Sequence, residues 1–351
     1  MRKFVKGNEA VVIGALYAGC DVYFGYPITP ASEIAEDAAA WFPQMGKEFL
    51  QAECETASIN MIYGAASAGK LAMTASSGPG ISLMQEGMSY LAGAQLPALI
   101  VNIMRTGPGL GNIGPEQGDY NQAVKGGGHG NYHSIVLAPA SVQEMCDLTM
   151  KAFEMAFKYR NPAMILADAT LGQVMESLKL PENEAHRPKT SDWSVQGDLP
   201  TKGNLISSIF LEPDKMEIHN RHLQEKYAAM QHEATTESYL TEDADIILTG
   251  YGTSARVARS AVDQLRASGV KAGLFRPISL MPFPVEQLNK AAAGKKVLVV
   301  EMSNGQYMND VILYLDRKKQ SQVRLCNRMG GVLIQVDDVL KAADHLMKEA
   351  F

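Results

Sequence analysis

Residues 50–80 read LQAECETASINMIYGAASAGKLAMTASSGPG, and the fold is decided by how this stretch divides. Glu53 and Glu55 stand at the front of a small-residue helical pattern over 56–69. A strand-like run over 70–75 follows, then a Gly/Ser/Pro turn over 76–80. Acidic residues at a helix start complement its N-terminal dipole, which by itself accounts for both glutamates. The helix has little side-chain bulk: Ala57, Ser58, Gly64, Ala65, Ala66, Ser67, Ala68 and Gly69 are all small. Another backbone or a flat ligand can approach such a helix closely. A carboxylate held there is partly desolvated and becomes a tunable proton partner. Locally, helix-start chemistry and an active-site acid both remain open.

The chain has 351 residues, enough for two or three domains with sizeable cores. Hydrophobic residues make up 46% and charged residues 20%, an ordinary globular balance. A net charge of −6 argues against nucleic acid as the main partner. Cys20, Cys54, Cys146 and Cys326 form no CxxC pair, so no zinc or iron–sulfur ligand run is present. Scattered single cysteines suggest a reducing, cytoplasmic compartment. The run Leu16-Tyr17-Ala18-Gly19-Cys20 imitates a lipoprotein signal. Asn8, Glu9 and Gly14 interrupt it, however, and an ordinary first helix over 7–18 is the expectation. No stretch reaches the ~18 apolar residues of a membrane helix, so no membrane partner is expected.

Moving outward, a strand over 22–26 ends in Pro27-Ile28-Thr29-Pro30, a rigid turn that opens a helix at 31–33 with Ser32 or Thr29 as candidate cap. Ends of this kind are where α/β sheets place ligands. Residues 98–104 (ALIVNIM) read as a buried strand ending at Arg105, a guanidinium suited to a carboxylate substrate or to a surface ion pair. Pro108 and Pro115 exclude a dinucleotide fingerprint in the glycine loop that follows. A second glycine loop carries Lys125 and His129. Strand 135–138, helix 141–159 capped by Ser141 and strand 163–167 continue an alternation that implies a parallel sheet. Residues 186–203 are polar and irregular. Residues 213–239 read as a long charged helix with Met216, Leu223, Tyr227 and Met230 on one stripe. From 241 a second α/β domain begins. There Gly250, Gly252 and Ala255 match a G-x-G-x-x-A nucleotide turn, with Arg276 placed as for NADP.

Together, GYPITPASEI (25–34), ECETASINMIYGAASAG (53–69), TASSGPGISLMQEG (74–87) and NIMRTGPGLGN (102–112) resemble the alpha subunits of the 2-oxoacid:ferredoxin oxidoreductases. KGGGHGNY, LTGYGTSARVARSAV, FRPISLMPFP and EMSNGQ extend the resemblance over nearly the whole chain. The HNRHLQEKY helix adds to a likeness to the 2-oxoisovalerate branch. The resemblance implies an α/β fold: a pyrimidine-binding-type thiamine diphosphate domain over 1–185, a linker with a long helix over 186–240, and a transketolase C-terminal-like domain over 241–351. It assigns Glu55 as the acid facing the thiamine aminopyrimidine and leaves Glu53 a structural role. Arg105 and Thr29 become substrate contacts. Pro27, Ile28, Thr29, Ser76, Ser77 and Gly78 become coenzyme contacts. The nucleotide turn becomes structural. Gly118-Asp119 and Gly197-Asp198 do not continue as the family's metal–diphosphate motif. The expectation is therefore no metal ligand in this chain. A beta subunit would supply the Mg²⁺ and diphosphate contacts, other subunits including a gamma subunit would carry the iron–sulfur clusters, and coenzyme A and ferredoxin would be reaction partners. A 2-oxoglutarate enzyme, which needs a further cation from Lys125 or from the partner, is the nearest alternative. An NADP-binding oxidoreductase and a non-catalytic scaffold subunit are the alternatives of other classes.

Overall fold

Apolar strand runs alternating with helices build two parallel sheets. The computed structural model describes residues 1–316 and 323–349. The first part of the chain runs β1 (Arg2–Lys6), α1 (Gly7–Tyr17), β2 (Val22–Gly25), α2 (Ser32–Trp41), β3 (Glu48–Gln51), α3 (Glu55–Ser67), β4 (Ala72–Ser76), α4 (Pro79–Gly93) and β5 (Ala98–Met104). It continues with α5 (Tyr120–Lys125), β6 (Ile135–Leu137), α6 (Val142–Tyr159), β7 (Pro162–Asp168), α7 (Ala169–Gln173), β8 (Met175–Lys179) and α8 (Pro213–Met230). The last part contains β9 (Thr236–Tyr239), β10 (Ile246–Thr249), α9 (Gly252–Ala267), β11 (Ala272–Pro277), β12 (Ser279–Met281), α10 (Val285–Ala292), β13 (Lys296–Glu301), α11 (Gln306–Tyr314), β14 (Val323–Asn327) and α12 (Val336–Lys348).

The first sheet has the order β12-β6-β7-β5-β4-β2-β3, parallel except for β12 at its edge. On β5, Leu99, Val101 and Ile103 face α1 and α6, whereas Ala98, Ile100 and Met104 face α3 and α4, the two-residue alternation of a strand buried on both sides. Each buried Leu, Ile or Val contributes roughly 1.5–3 kcal/mol, so these runs rather than the turns hold the sheet. The chain moves from β2 to β3 in one direction, then crosses back to β4 on the other side of β2. That reversal opens a crevice at the carboxyl ends of β2 and β4. α3 is the crossover, so its first residue, Glu55, stands at the crevice.

The second sheet has the order β14-β13-β10-β11-β9, with β9 antiparallel. β12, which follows β11 in the chain, joins the first sheet instead, Ser279 opposite Leu137. One apolar cluster runs without a break from Ile59 and Met84 to Tyr251, Phe275 and Tyr307, tying the two sheets together. The charged helix expected over 213–239 stops at Met230: a 3-10 turn over Gln231–Glu233 follows, and β9 begins at the β-branched Thr236. Of the expected stripe on that helix, Leu223 and Met230 are buried. Ser141 caps α6, accepting a bond from Glu144 N–H at 3.1 Å. Neither Ser32 nor Thr29 caps α2, whose N-cap is Ala31. Cys20 lies wholly inside the core, its thiol directed at the carbonyls of Val22 and Leu71, and burial pushes its pKa up.

Glu301 at the end of β13 is completely buried and accepts a bond from Tyr307 N–H at 2.8 Å. Burial pushes its pKa up from 4.5 to about 7. The folded chain therefore holds this proton more tightly than the unfolded chain. The contribution is fully present below pH 4.5 and is lost as pH rises through about 7. Glu301→Gln is expected to remove that slope: its urea midpoint should gain on the native one between pH 5 and pH 8, by on the order of 3 kcal/mol in unfolding free energy. Parallel pH curves for the two chains would contradict this.

Candidate functional site

Glu55 is the first residue of α3, after an extended Cys54, and is only 6% exposed, whereas Glu53 is exposed. Its carboxylate lies against the start of α4. A Cβ added at Gly80 would stand 2.5 Å from Glu55 Oε1 and 2.1 Å from Ser76 Oγ. About two turns further along, a Cβ at Gly87 would stand 2.5 Å from Ile59. The close approach is thus made by glycines of α4 facing Glu55 and Ile59. Gly64 of the small-residue helix itself faces open space. Two helix N-termini, those of α3 and α4, converge on the carboxylate and favour its negative charge.

Arg105 follows β5 directly. Its Nη1 donates to Thr29 O at 2.9 Å and its Nη2 to Leu110 O at 3.3 Å. The side chain runs across Gly78, where a Cβ would come within 3.4 Å of Arg105 Cγ. Gly78 caps α4 with φ +45°, and Ser77 O accepts from Gly80 N–H at 2.9 Å, which makes the turn tight. On the β2 side, Pro27 and Thr29 are exposed, Ile28 is half-buried, and Ile28 O accepts from Ala31 N–H at 2.8 Å. The turn 76–80 therefore has Glu55 on one side and Arg105, bonded to Thr29, on the other. The structure brings Glu55, Ser76, Ser77, Gly78, Arg105 and Thr29 to one edge of the sheet.

Several buried polar atoms at this edge have no protein partner: Ser76 Oγ, Ser77 Oγ, Thr74 Oγ1, Asn102 Oδ1 and Arg105 Nε. Ser76 and Asn102 are register partners on β4 and β5. Leaving a buried polar atom unpaired costs about 1–3 kcal/mol, so a cluster of them marks a place built to receive something. Asn102 Nδ2 donates to Asp119 Oδ2 at 3.0 Å. Burial pushes the Asp119 carboxyl up; the bond from Asn102 opposes this, Glu116 adds to it and Arg105 opposes it. Sequence reasoning passed over Asn102 and Glu116. The signals were an asparagine inside an otherwise apolar strand and an acid placed between a proline and a glutamine.

The rival nucleotide turn is filled from within. Asp168 of β7 accepts bonds from Thr253 Oγ1 at 2.8 Å and Thr253 N–H at 3.3 Å, occupying the N-terminus of α9 where a phosphate would sit. Gly252, with φ +54°, packs on Asp168 and Gln117. Gln117 bonds Tyr251 O, Ser254 Oγ and Met302 N–H, locking the turn to the segment between β5 and α5. Arg276 is bidentate to Glu144 at 2.8 and 2.6 Å and also meets Glu237 at 2.8 Å. Lys125, the candidate second cation, pairs with the buried Asp310. His129 is exposed on its loop. Among the described residues no cluster of three or more His, Cys, Asp or Glu is arranged to hold a metal ion. Among them, no helix is long and apolar enough to cross a membrane.

Residues 13–243 match the family described as pyruvate flavodoxin/ferredoxin oxidoreductase, thiamine diphosphate-binding, and residues 244–339 match pyruvate:ferredoxin oxidoreductase core domain II. The chain is 59% identical over 351 residues to the ketoisovalerate oxidoreductase subunit VorB of Methanothermobacter marburgensis, covering 99% of each. It is 39% identical to the 2-oxoglutarate synthase subunit KorA of Archaeoglobus fulgidus, covering 88% of this chain and 90% of that one. Among solved structures, the 2-oxoglutarate:ferredoxin oxidoreductase of Magnetococcus marinus superposes with a TM-score of 0.88 at 27% identity over 99% of this chain. This chain spans 65% of the length of that one. A split gene transketolase superposes with a TM-score of 0.61 at 15% identity, covering 97% of this chain and 96% of that one, a likeness of fold. The edge described above fits the coenzyme named by the first match. Beside the turn 76–80, the unpaired Ser76 and Ser77 hydroxyls can donate to ring nitrogens, Asn102 Oδ1 can accept from an amino group, and Glu55 offers a buried carboxylate. With both halves of the chain matched and a relative at this identity over full length, the protein belongs to the thiamine diphosphate-dependent 2-oxoacid:ferredoxin oxidoreductases, as a subunit of the alpha type.

Proposed function

We propose that this chain is the alpha subunit of an enzyme that oxidatively decarboxylates 2-oxoisovalerate-type branched-chain 2-oxoacids to acyl-CoA, passing the electrons to ferredoxin. The observation that carries the reading is the buried Glu55 carboxylate on one side of the turn 76–80, with Arg105 on the opposite side. When bound, thiamine diphosphate supplies the electron sink for cleavage of the bond between the carboxylate and the keto carbon. Glu55 holds a proton at the ring nitrogen of the aminopyrimidine, which sets the tautomer of the neighbouring amine. Ser76, Ser77, Gly78, Pro27 and Ile28 line the place of the pyrimidine. Arg105 binds the substrate carboxylate, with Thr29 beside it. A beta subunit supplies the Mg²⁺ and diphosphate contacts. The iron–sulfur clusters lie on beta, gamma or further subunits, and the complex works in the cytoplasm. The division into domains at 1–185, 186–240 and 241–351 belongs to the same proposal, with strand 279–281 reaching back into the first sheet.

The branched-chain substrate is supported by the 59% identity to a ketoisovalerate oxidoreductase subunit and by the apolar Leu110 and Ile113, both exposed on the Arg105 loop. The 2-oxoglutarate alternative rests on the KorA relative, but its distal carboxylate lacks Lys125, which Asp310 holds. The test is to purify the chain with its partners and compare substrates. The expectation is a kcat/KM for 2-oxoisovalerate at least about tenfold above those for 2-oxoglutarate and pyruvate. A preference for 2-oxoglutarate would overturn the substrate assignment.

A further inference from the structure

Residues 105–116 close on themselves. Arg105 and Pro115 face each other as an isolated antiparallel bridge, and Thr106 donates to Gly114 O from both its N–H (3.0 Å) and its Oγ1 (3.1 Å). Gly111 lies so near that a Cβ would stand 1.8 Å from Thr106 O. This closed loop rests on the second domain. Glu116, only 7% exposed, accepts from Gly107 N–H through Oε2 at 3.0 Å and from Gly330 N–H through Oε1 at 3.1 Å. Asn112 adds a second tie, its Nδ2 donating to Gly330 O at 3.2 Å while its Oδ1 accepts from Gly114 N–H at 2.6 Å. Beneath the loop, Gly331 has φ +84°, and a Cβ there would stand 2.8 Å from Asn112 Oδ1 and 3.0 Å from Thr106 Oγ1.

Two donors from two domains converge on one side chain. A glutamine has a single acceptor oxygen, and its amide would face the other N–H. Only a carboxylate satisfies both, which explains why an acid is buried here despite its desolvation. The loop held this way supplies the carbonyl of Leu110 that orients the Arg105 guanidinium.

We propose that Glu116 is a positioning residue for substrate binding: by clamping Gly107 to Gly330 it fixes the loop that aims Arg105, so that the second domain sets the geometry of carboxylate recognition in the first. This rests on the reading of Arg105 as the carboxylate-binding group. The test is a double-mutant cycle in the assembled complex with 2-oxoacid as varied substrate. Glu116→Gln is expected to raise KM about tenfold through loss of one charge-assisted bond, with kcat changed less than about twofold. In Arg105→Lys the same change should add little, because the aimed group is gone. If Glu116 is merely structural, its effect multiplies that of Arg105→Lys or falls on coenzyme binding and assembly instead, and the proposal is overturned. An unchanged KM in Arg105→Lys alone overturns the reading of Arg105 and with it this proposal. A raised KM there beside an unchanged KM in Glu116→Gln overturns only the role of Glu116. Should Glu116→Gln fail to assemble, Asn112→Ala at its exposed position decides the matter: a raised KM that vanishes in the Arg105→Lys background supports the clamp, and an unchanged KM overturns it.

Discussion

Replacing Glu55 by glutamine in the assembled complex is expected to lower 2-oxoacid turnover by at least about 100-fold while leaving assembly intact. Gln is nearly the same shape, so the packing against Gly80 and Ser76 survives. What disappears is the negative charge that holds a proton at the coenzyme ring nitrogen. Size-exclusion mass and turnover of the same preparation separate the two effects. Near-normal turnover would refute the assignment of Glu55, and loss of assembly would show that its role is structural.

Arg105→Lys is expected to raise the KM for 2-oxoacid by about 30-fold, with a smaller fall in kcat. The native guanidinium is held flat by two carbonyls, Thr29 O and Leu110 O, and its Nε has no protein partner. A planar fork restrained in this way can present a fixed pair of donors to a carboxylate. An ammonium on a flexible stem keeps the charge but cannot satisfy both carbonyls and the substrate in one orientation. The loss should be shared by every 2-oxoacid tested, since all carry the same carboxylate. An effect confined to one substrate would place Arg105 at the variable end of the substrate instead.

The position of Arg105 was legible because the crevice is a property of strand ends, and strand ends show in the sequence as apolar runs that stop at a charged or glycine-rich residue. ALIVNIM followed by Arg105 is such a run, as is the strand that ends at Ser76. The choice between Glu53 and Glu55 came from the family resemblance, and the two residues differ in burial as that choice requires. The tight packing was legible in part: of the glycines in the small-residue stretch, Gly69 is met closely by Thr190 and Gly64 faces open space, while the neighbouring helix is admitted by its own Gly80 and Gly87. Contacts over long sequence separations were invisible. Nothing local signals that Asp168 fills the turn at Gly252, that Lys125 is held by Asp310, or that Glu116 reaches Gly330. The crossing of residues 279–281 into the first sheet is of the same kind, since three residues carry no periodicity to read.

The most direct measurement is a structure of the assembled complex loaded with thiamine diphosphate. A Glu55 carboxylate oxygen is expected within about 2.6–3.2 Å of the aminopyrimidine ring nitrogen, with the diphosphate and its metal gripped by a second polypeptide. A coenzyme whose pyrimidine meets a different acid, or lies away from the edge between Gly78 and Gly80, would contradict it.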